Sequence, residues 1–199
     1  PHGLRRRQRQ MCIRDSYYTG GAGVLTEEFR IGDNNAAATR TGGGSLINNG
    51  TGTLKVTGIV GGGVHRFNES RTAVTVDRTL TLGGTSDIEI LGAIQDNNTA
   101  GNGTISVTKT GTNTVTLLGK ANTYTGNTSV NEGLLNINGV YSSNISVASG
   151  ANLGGEGVTS GDIVFSGNTH SIVVDGTTPG ALGTDGTGQF DLSAVSGVT

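Results

Sequence analysis

The chain has 199 residues and a formal net charge of -2, and glycine supplies 36 of the residues whereas proline supplies only 2. Aromatic residues make up 4% and charged residues 14%, and this poverty in charge and proline argues against intrinsic disorder. Collagen is excluded because the glycines follow no period of three. Short runs of Val, Ile, Leu and Thr separated by Gly and Asn predict an all-β fold.

Residues 1–16 differ in charge from the rest of the chain. They contain five arginines and one aspartate, a net charge of +4, whereas the remainder carries -6. They also hold the only methionine, Met11, and the only cysteine, Cys12, and they lack an apolar run of signal-peptide length. We interpret this basic segment as non-native and expect no nucleic-acid partner. Without Cys12 the chain has no thiol for a disulfide or a zinc site, which suits an exported protein.

The next residues, 17–52, are rich in Gly, Asn and Ala and predict irregular lead-in coils. From residue 53 onward apolar and polar residues alternate with a period of two, which predicts strands that each direct about two apolar side chains inward. Clusters of Gly, Asn and Asp between these runs predict turns. The predicted inward pairs are Leu54 and Val56, Leu80 and Leu82, Ile88 and Ile90, Ile105 and Val107, Val115 and Leu117, Leu135 and Ile137, Ile145 and Val147, and Ile163 and Phe165.

Turns at intervals of about 8 to 15 residues are typical of a sandwich, a barrel or a solenoid. The apolar burial and the backbone entropy of one coil decide among these folds. A coil of about 20 to 25 residues that buries about six apolar side chains gains on the order of 10 kcal/mol. Ordering its backbone costs about 1 to 2 kcal/mol per residue, which is more, so one coil is unstable alone. Coils that stack share hydrogen bonds, and Asn and Thr at equivalent positions can form ladders between them. The sequence therefore favours a β-solenoid over residues 53–199.

The densest motif lies in residues 104–139, TISVTKTGTNTVTLLGKANTYTGNTSVNEGLLNING. A lysine-threonine-glycine turn precedes a short apolar strand, an ANTYTG turn follows at residues 121–126, and a glycine introduces a leucine strand. This order resembles the passenger-associated repeat of bacterial autotransporters. Lys120 departs from the family pattern, which has a small residue there, and we expect its side chain to point outward.

The flanking segments extend this resemblance. Residues 78–97 resemble the strand pair that precedes the repeat in the family, and residues 144–167 resemble the coil that follows it. The resemblance thus covers roughly residues 78–167. It implies a right-handed parallel β-helix that is exported to the cell surface, associated with the outer membrane through regions outside this chain.

The repeat also assigns structural roles to individual residues. Gly111 and Gly126 are expected to permit tight corners, and Asn122 is expected to close an Asx-type turn on its own backbone. Tyr124 is expected to offer a flat apolar face with a hydroxyl that reaches solvent, where a sugar could stack. The residues of the structural motif are Lys109, Gly111, Asn122, Tyr124, Gly126 and Gly133.

Carboxylates are the first candidates for chemistry, because parallel β-helices include polysaccharide lyases and hydrolases. The candidates are Asp162, Asp175, Asp185 and Asp191. They form no DxD or DD pair, and each lies beside glycine or at a strand edge, which is typical of solvated turn residues. Residues 83–91, GGTSDIEIL, partly match a calcium-binding nonapeptide, but Ser86 replaces the required glycine. We therefore expect no metal site.

Histidines are the second candidates. His65 and His170 have no acidic or histidine neighbour at ligand spacing, and His2 lies in the segment interpreted as non-native. A Ser/His/Asp triad stays open, because such residues can meet from distant positions, but no GxSxG elbow supports one. We expect no catalytic residue and no cofactor.

The sequence thus favours a structural module, a rigid stalk or scaffold of a secreted or surface-displayed bacterial protein. The alternatives are an adhesin that binds glycans or proteins and, less favoured, a polysaccharide lyase or hydrolase. A solenoid cut within its array exposes an unpaired coil, so we also expect end-to-end self-association.

Overall fold

The computed structural model describes residues 12–13, 15–31, 43–61, 77–96, 103–119, 122–167, 172–173, 183–184 and 190–191. In this part of the chain every regular element is a β-strand, and all strand pairs are parallel. These same ranges contain no helix with the length and apolar character that crossing a membrane requires. The predicted all-β class is confirmed.

The strands are short because glycine-rich and asparagine-rich turns interrupt the chain after a few residues. In chain order they are β1 (Cys12–Ile13), β2 (Asp15–Tyr18), β3 (Gly23–Leu25), β4 (Phe29–Ile31), β5 (Gly44–Asn48), β6 (Leu54–Val56), β7 (Val60–Gly61), β8 (Arg78–Gly84), β9 (Ile88–Ile90), β10 (Ile94–Gln95), β11 (Ile105–Lys109), β12 (Thr114–Leu117), β13 (Thr128–Val130), β14 (Leu134–Ile137), β15 (Val140–Tyr141), β16 (Ile145–Val147), β17 (Asn152–Gly154), β18 (Val158–Thr159), β19 (Ile163–Phe165), β20 (Ile172–Val173), β21 (Gly183–Thr184) and β22 (Phe190–Asp191).

Each strand pairs with strands from the preceding and following turns of the chain rather than with its neighbour in sequence. The first face is the eight-stranded sheet β2-β5-β8-β11-β13-β16-β19-β22, and the second face is the seven-stranded sheet β20-β17-β14-β12-β9-β6-β3. The third face consists of two smaller sheets, β1-β4-β7-β10 and β15-β18-β21. One turn of chain, here called a rung, visits the three faces in order, so the fold is a parallel β-helix.

The core is one cluster that runs through the stacked rungs. All sixteen apolar residues predicted to point inward are buried, each with at most 1% of its surface exposed. They stack in register, as Leu54, Ile88, Val115 and Leu135 do on the second face. The period of two therefore identified the core correctly, because alternate side chains of a strand lie on opposite faces.

The described part of the predicted lead-in is regular rather than irregular. β5 pairs with β2 below it and β8 above it, and Leu46 is buried in the same core. Phe29 and Ile31 of β4 are buried as well. The glycine-rich composition hid these strands, since each is bounded by turn residues and contributes few apolar side chains. The domain boundaries at residues 16 and 52, and the non-native origin of residues 1–16, stay predictions.

A column of glycines lines the corner between the second and third faces. A Cβ atom on any of them would meet backbone of the rung below, at 2.7 Å from the Gly92 carbonyl oxygen in the case of Gly119. Real Cβ atoms do not approach that closely, so the rungs can stack at this corner because it lacks side chains. The column consists of Gly58, Gly92, Gly119, Gly139 and Gly157.

Side chains also join the rungs, in a way that differs partly from the predicted ladders. Ser129 and Ser146 stack as hydroxyls, with 3.3 Å between their oxygens. Asparagine side chains instead accept hydrogen bonds from backbone N–H groups of the next rung. Asn138 accepts from the Glu156 N–H at 3.0 Å, and Asn144 accepts from the Asp162 N–H at 2.9 Å. In both cases the asparagine side-chain oxygen pairs with a turn N–H group that forms no hydrogen bond in the strand ladder.

Candidate functional site in the repeat

Lys109 is a charged residue of the repeat whose side chain lies inside the β-helix. It occupies the last position of β11, between Leu82 on the rung below and Val130 on the rung above, both of which are core residues. Its exposed fraction is 0%. The aliphatic stem therefore fills a position that leucine and valine fill elsewhere, while the ammonium group extends toward the corner after β11.

Three backbone carbonyls receive the Lys109 ammonium. Nζ donates to the carbonyl oxygens of Thr110 at 2.8 Å, Gly111 at 2.6 Å and Glu132 at 3.0 Å. An ammonium group has three N–H donors, so all three are used. The arrangement links the corner of one rung to the corner of the next and leaves no donor for a substrate.

The Lys109 ammonium is partly desolvated at the corner that follows β11. Burial lowers the pKa of Lys109 to about 8, and the carboxylates of Glu132 and Asp87 act in the opposite direction. The Glu132 carboxylate also accepts a hydrogen bond from the Gly111 N–H at 3.1 Å. Glycine is required on both sides of the ammonium: Gly111 has a φ of 73°, and a Cβ on Gly133, whose φ is 68°, would lie 2.8 Å from Nζ.

Tyr124 is buried, so the prediction that its hydroxyl reaches solvent is wrong. Its exposed fraction is 1%, and its hydroxyl lies 2.8 Å from the Thr128 hydroxyl, which lies 3.0 Å from that of Ser143. Its ring packs edge-on against Tyr141, with 6.2 Å between the centroids. Burial raises the pKa of Tyr124 and of Tyr141. A ring enclosed in this way cannot serve as a sugar-stacking platform.

Asn122 forms different bonds from those of the expected Asx-type turn. Its side-chain oxygen accepts a hydrogen bond from the Ile94 N–H at 2.9 Å, one rung below, and its amide donates to the Gly119 carbonyl at 2.7 Å. Gly126 is needed for space rather than for an unusual φ, because a Cβ there would meet the Ile105 carbonyl of the rung below. Both residues therefore hold the rung in place through tertiary contacts.

Asp162 is the one predicted carboxylate candidate with a described side chain, and it is exposed, with its backbone N–H bonded to Asn144. The side chain of Asp191 in β22 is outside the described part, as are Asp175 and Asp185. Lys120 and the three histidines, His2, His65 and His170, also lie outside the described residues. In the calcium-like segment the Asp87 carboxylate accepts the Thr114 N–H at 2.9 Å. Among the residues that the structure describes, no group of three or more His, Cys, Asp or Glu could hold a metal ion.

The stacked parallel rungs define the chain as a parallel β-helix protein, and the segment from β11 to β14 coincides with a known repeat. Residues 107–137 match the family model described as the passenger-associated-transport-repeat. The chain therefore carries an autotransporter passenger repeat, as the resemblance over residues 104–139 predicted. No curated protein and no solved structure matches the chain.

Proposed function

We propose that this chain is a rigid structural segment of an exported bacterial passenger domain, and that it catalyses no reaction. The single observation that carries the proposal is the use of the polar groups in the repeat. The Lys109 ammonium, the Tyr124 hydroxyl and the Asn122 amide all face inward and bind neighbouring rungs. An active site would need such groups to face a substrate instead.

The architecture supports a spacer role. Parallel strands lie about 4.8 Å apart, so the eight strands of the first face extend over roughly 35 Å. A stack with one continuous core resists bending at every rung, because each rung is held by both neighbours. The family of the repeat supports display outside the cell, and we assign the chain to the cell surface on that basis.

Surface display of an epitope tests the spacer role. The chain is placed between an N-terminal epitope and a translocating domain, and a second fusion replaces it with a flexible Gly/Ser linker of equal residue number. The proposal expects antibody access to the epitope on intact cells with the chain and a clear loss of access and of protease resistance with the linker. Equal access and equal resistance in the two fusions would refute a stalk function. Release of reducing ends from acidic polysaccharides by the purified chain would refute the absence of catalysis.

An adhesin is the second candidate, and one surface favours it. Partly or fully exposed hydroxyls form a column across the outside of the first face, and the Asp15 carboxylate lies at its lower end, where it accepts from the Ser45 hydroxyl at 2.6 Å. Such a flat hydroxyl surface can exchange hydrogen bonds with an uncharged glycan. The column consists of Ser45, Thr81, Thr108, Ser129 and Ser146. Binding on a glycan array that is lost in Thr81→Val/Thr108→Val, with unchanged thermal stability, is the expected result for an adhesin. A chain that binds no glycan on a broad array would remove this candidate.

A further inference from the structure

The rungs below the repeat are longer than the repeat's own rung and the two rungs that follow it. Equivalent residues of successive rungs are 36 positions apart at Asn49 and Thr85 and 27 apart at Asp77 and Thr104. From the end of the repeat to the next rung the separation is 17 positions at Ser129 and Ser146, and it is 18 at Asn144 and Asp162. The rung that contains β11 and β12, here called the repeat rung, is intermediate, because Gly111 and Glu132 are 21 positions apart. Rungs of unlike length therefore meet at the repeat, which divides the helix into a lower and an upper stack. The last described interval, from Val164 to Asp191, is 27 positions again.

The backbone ladder of the third face stops at the same place. β10 is the last strand of the lower third-face sheet and β15 is the first strand of the upper one, and residues 122–125 between them form no strand. The Thr123 N–H still donates to the Ile94 carbonyl at 2.9 Å. On this face the two stacks thus lack the continuous parallel pairing that joins rungs on the other two faces.

Two side chains bridge the lower half of this gap. Asn122 accepts the Ile94 N–H at 2.9 Å. The Asp96 carboxylate accepts the Ile105 N–H at 2.6 Å through Oδ1, and the Thr125 N–H at 3.0 Å and hydroxyl at 2.7 Å through Oδ2. Because Ile105 begins the repeat rung and Thr125 lies near its end, one carboxylate closes that rung and fastens it to the end of the rung below.

The upper half of the gap is bridged by the buried hydroxyls. Thr128 Oγ1 lies between the Tyr124 hydroxyl at 2.8 Å and the Ser143 hydroxyl at 3.0 Å, and Ser143 belongs to the rung above. The Tyr141 hydroxyl, on that same upper rung, donates back to the Leu117 carbonyl at 3.0 Å. Side-chain contacts therefore replace strand pairing on both sides of residues 122–125.

We infer that the repeat rung is an adapter between the longer rungs directly below it and the shorter rungs directly above it, and that Asp96 and Asn122 carry the coupling of the lower stack to it on the third face. In a stack with nearest-neighbour contacts, unfolding is cooperative while each interface is strong enough to hold its two rungs together. Weakening the adapter consequently divides the helix into two units that open separately.

Hydrogen exchange along a urea series tests the adapter in the full chain. The test variant is Asp96→Ala/Asn122→Ala. The matched control is Asn138→Ala/Asn144→Ala, which removes two side-chain acceptors for N–H groups between rungs of the upper stack. In the unchanged chain, peptides from residues 78–95 and 128–165 are expected to lose protection at the same urea concentration. In the test variant, protection of residues 78–95 should fall by about ten- to a hundredfold, while residues 128–165 keep theirs. The control should not separate the two regions.

An equal fall of protection in both regions of the test variant would overturn the inference, and so would the same separation in the control. Should the double variant not fold, Asp96→Asn supplies the milder test. Its amide has one acceptor oxygen in place of two, so it can accept from Ile105 or from Thr125 but not from both, while Asn122 stays in place. The same separation is expected at smaller amplitude, and uniform loss of protection would again contradict the adapter.

Discussion

Alkaline pH should destabilise the helix through two buried tyrosines. Tyr124 and Tyr141 are each 1% exposed, and burial raises the pKa of both above the ordinary value of 10.0. Above about pH 10 the unfolded chain releases these two protons whereas the folded chain retains them. The folded state then binds more protons, so the free energy of unfolding falls as the pH rises. At about pH 11 the unfolded pKa of 10.0 limits the cost to at most about 1.4 kcal/mol for each tyrosine and about 2.8 kcal/mol for the pair.

The double variant Tyr124→Phe/Tyr141→Phe isolates this effect. Each substitution removes a hydroxyl with one close hydrogen bond, to Thr128 or to the Leu117 carbonyl, so at about pH 8 the variant should be about 2 kcal/mol less stable. Because the variant lacks the two titrating groups, the difference in stability should shrink by up to about 2.8 kcal/mol at about pH 11, so the two stabilities should converge or change order. Urea unfolding followed by circular dichroism at both pH values measures the two differences. A difference that is independent of pH would refute the reasoning.

The other predictions concern Lys109, two glycines and the ends of the stack. Burial lowers the pKa of Lys109 from 10.5 to about 8, so between about pH 8 and 10.5 the unfolded chain binds more protons than the folded chain. Lys109 should therefore make the free energy of unfolding rise with pH in this range, and Lys109→Met should lack this rise. Identical pH profiles of the two proteins in urea titrations would contradict this. Gly150→Ala should cost about 1 to 2 kcal/mol, because φ is 80° while no atom lies within 4 Å of the new Cβ. Gly111→Ala should cost more in the same titrations, since its Cβ would also lie 2.5 Å from the Gly84 carbonyl oxygen, and equal costs would count against that contact. The chain should self-associate end to end at high concentration, as sedimentation velocity would show; a strict monomer at all concentrations would contradict this.

The period of two predicted the inward apolar residues. The same alternation, extended to polar positions, also locates the buried polar residues. Lys109 continues the inward series of Ile105 and Val107, and its burial follows from that position. Asn122 and Tyr124 belong to a similar series, since residues 122, 124, 126 and 128 are buried while residues 123, 125 and 127 are exposed. Reading the ANTYTG segment as a surface turn concealed this alternation. Its signal is weak because glycine and asparagine occupy inward positions.

Contacts between rungs could not be predicted from the sequence, because they depend on register. Asp96 and Thr125 are 29 positions apart, whereas Asn144 and Asp162 are 18 apart, so no constant period relates bonded residues of successive rungs. The interval depends on how many residues each rung places in its turns, and composition does not record that number. The interruption of the third face is hidden for the same reason.

The buried polar groups of the repeat have a consequence for register that apolar packing cannot supply. Leucine, isoleucine and valine recur in every rung, so an apolar column is satisfied nearly as well when one rung slips relative to the next. The Lys109 ammonium meets its three carbonyls at the corner between Gly111 and Glu132, and Tyr124 meets Thr128 and Ser143 within hydrogen-bonding range or close to it. A slipped rung would separate these partners and leave a charge and hydroxyls buried without them, at a cost of several kcal/mol. The repeat therefore fixes one alignment between rungs whose inward apolar residues resemble one another.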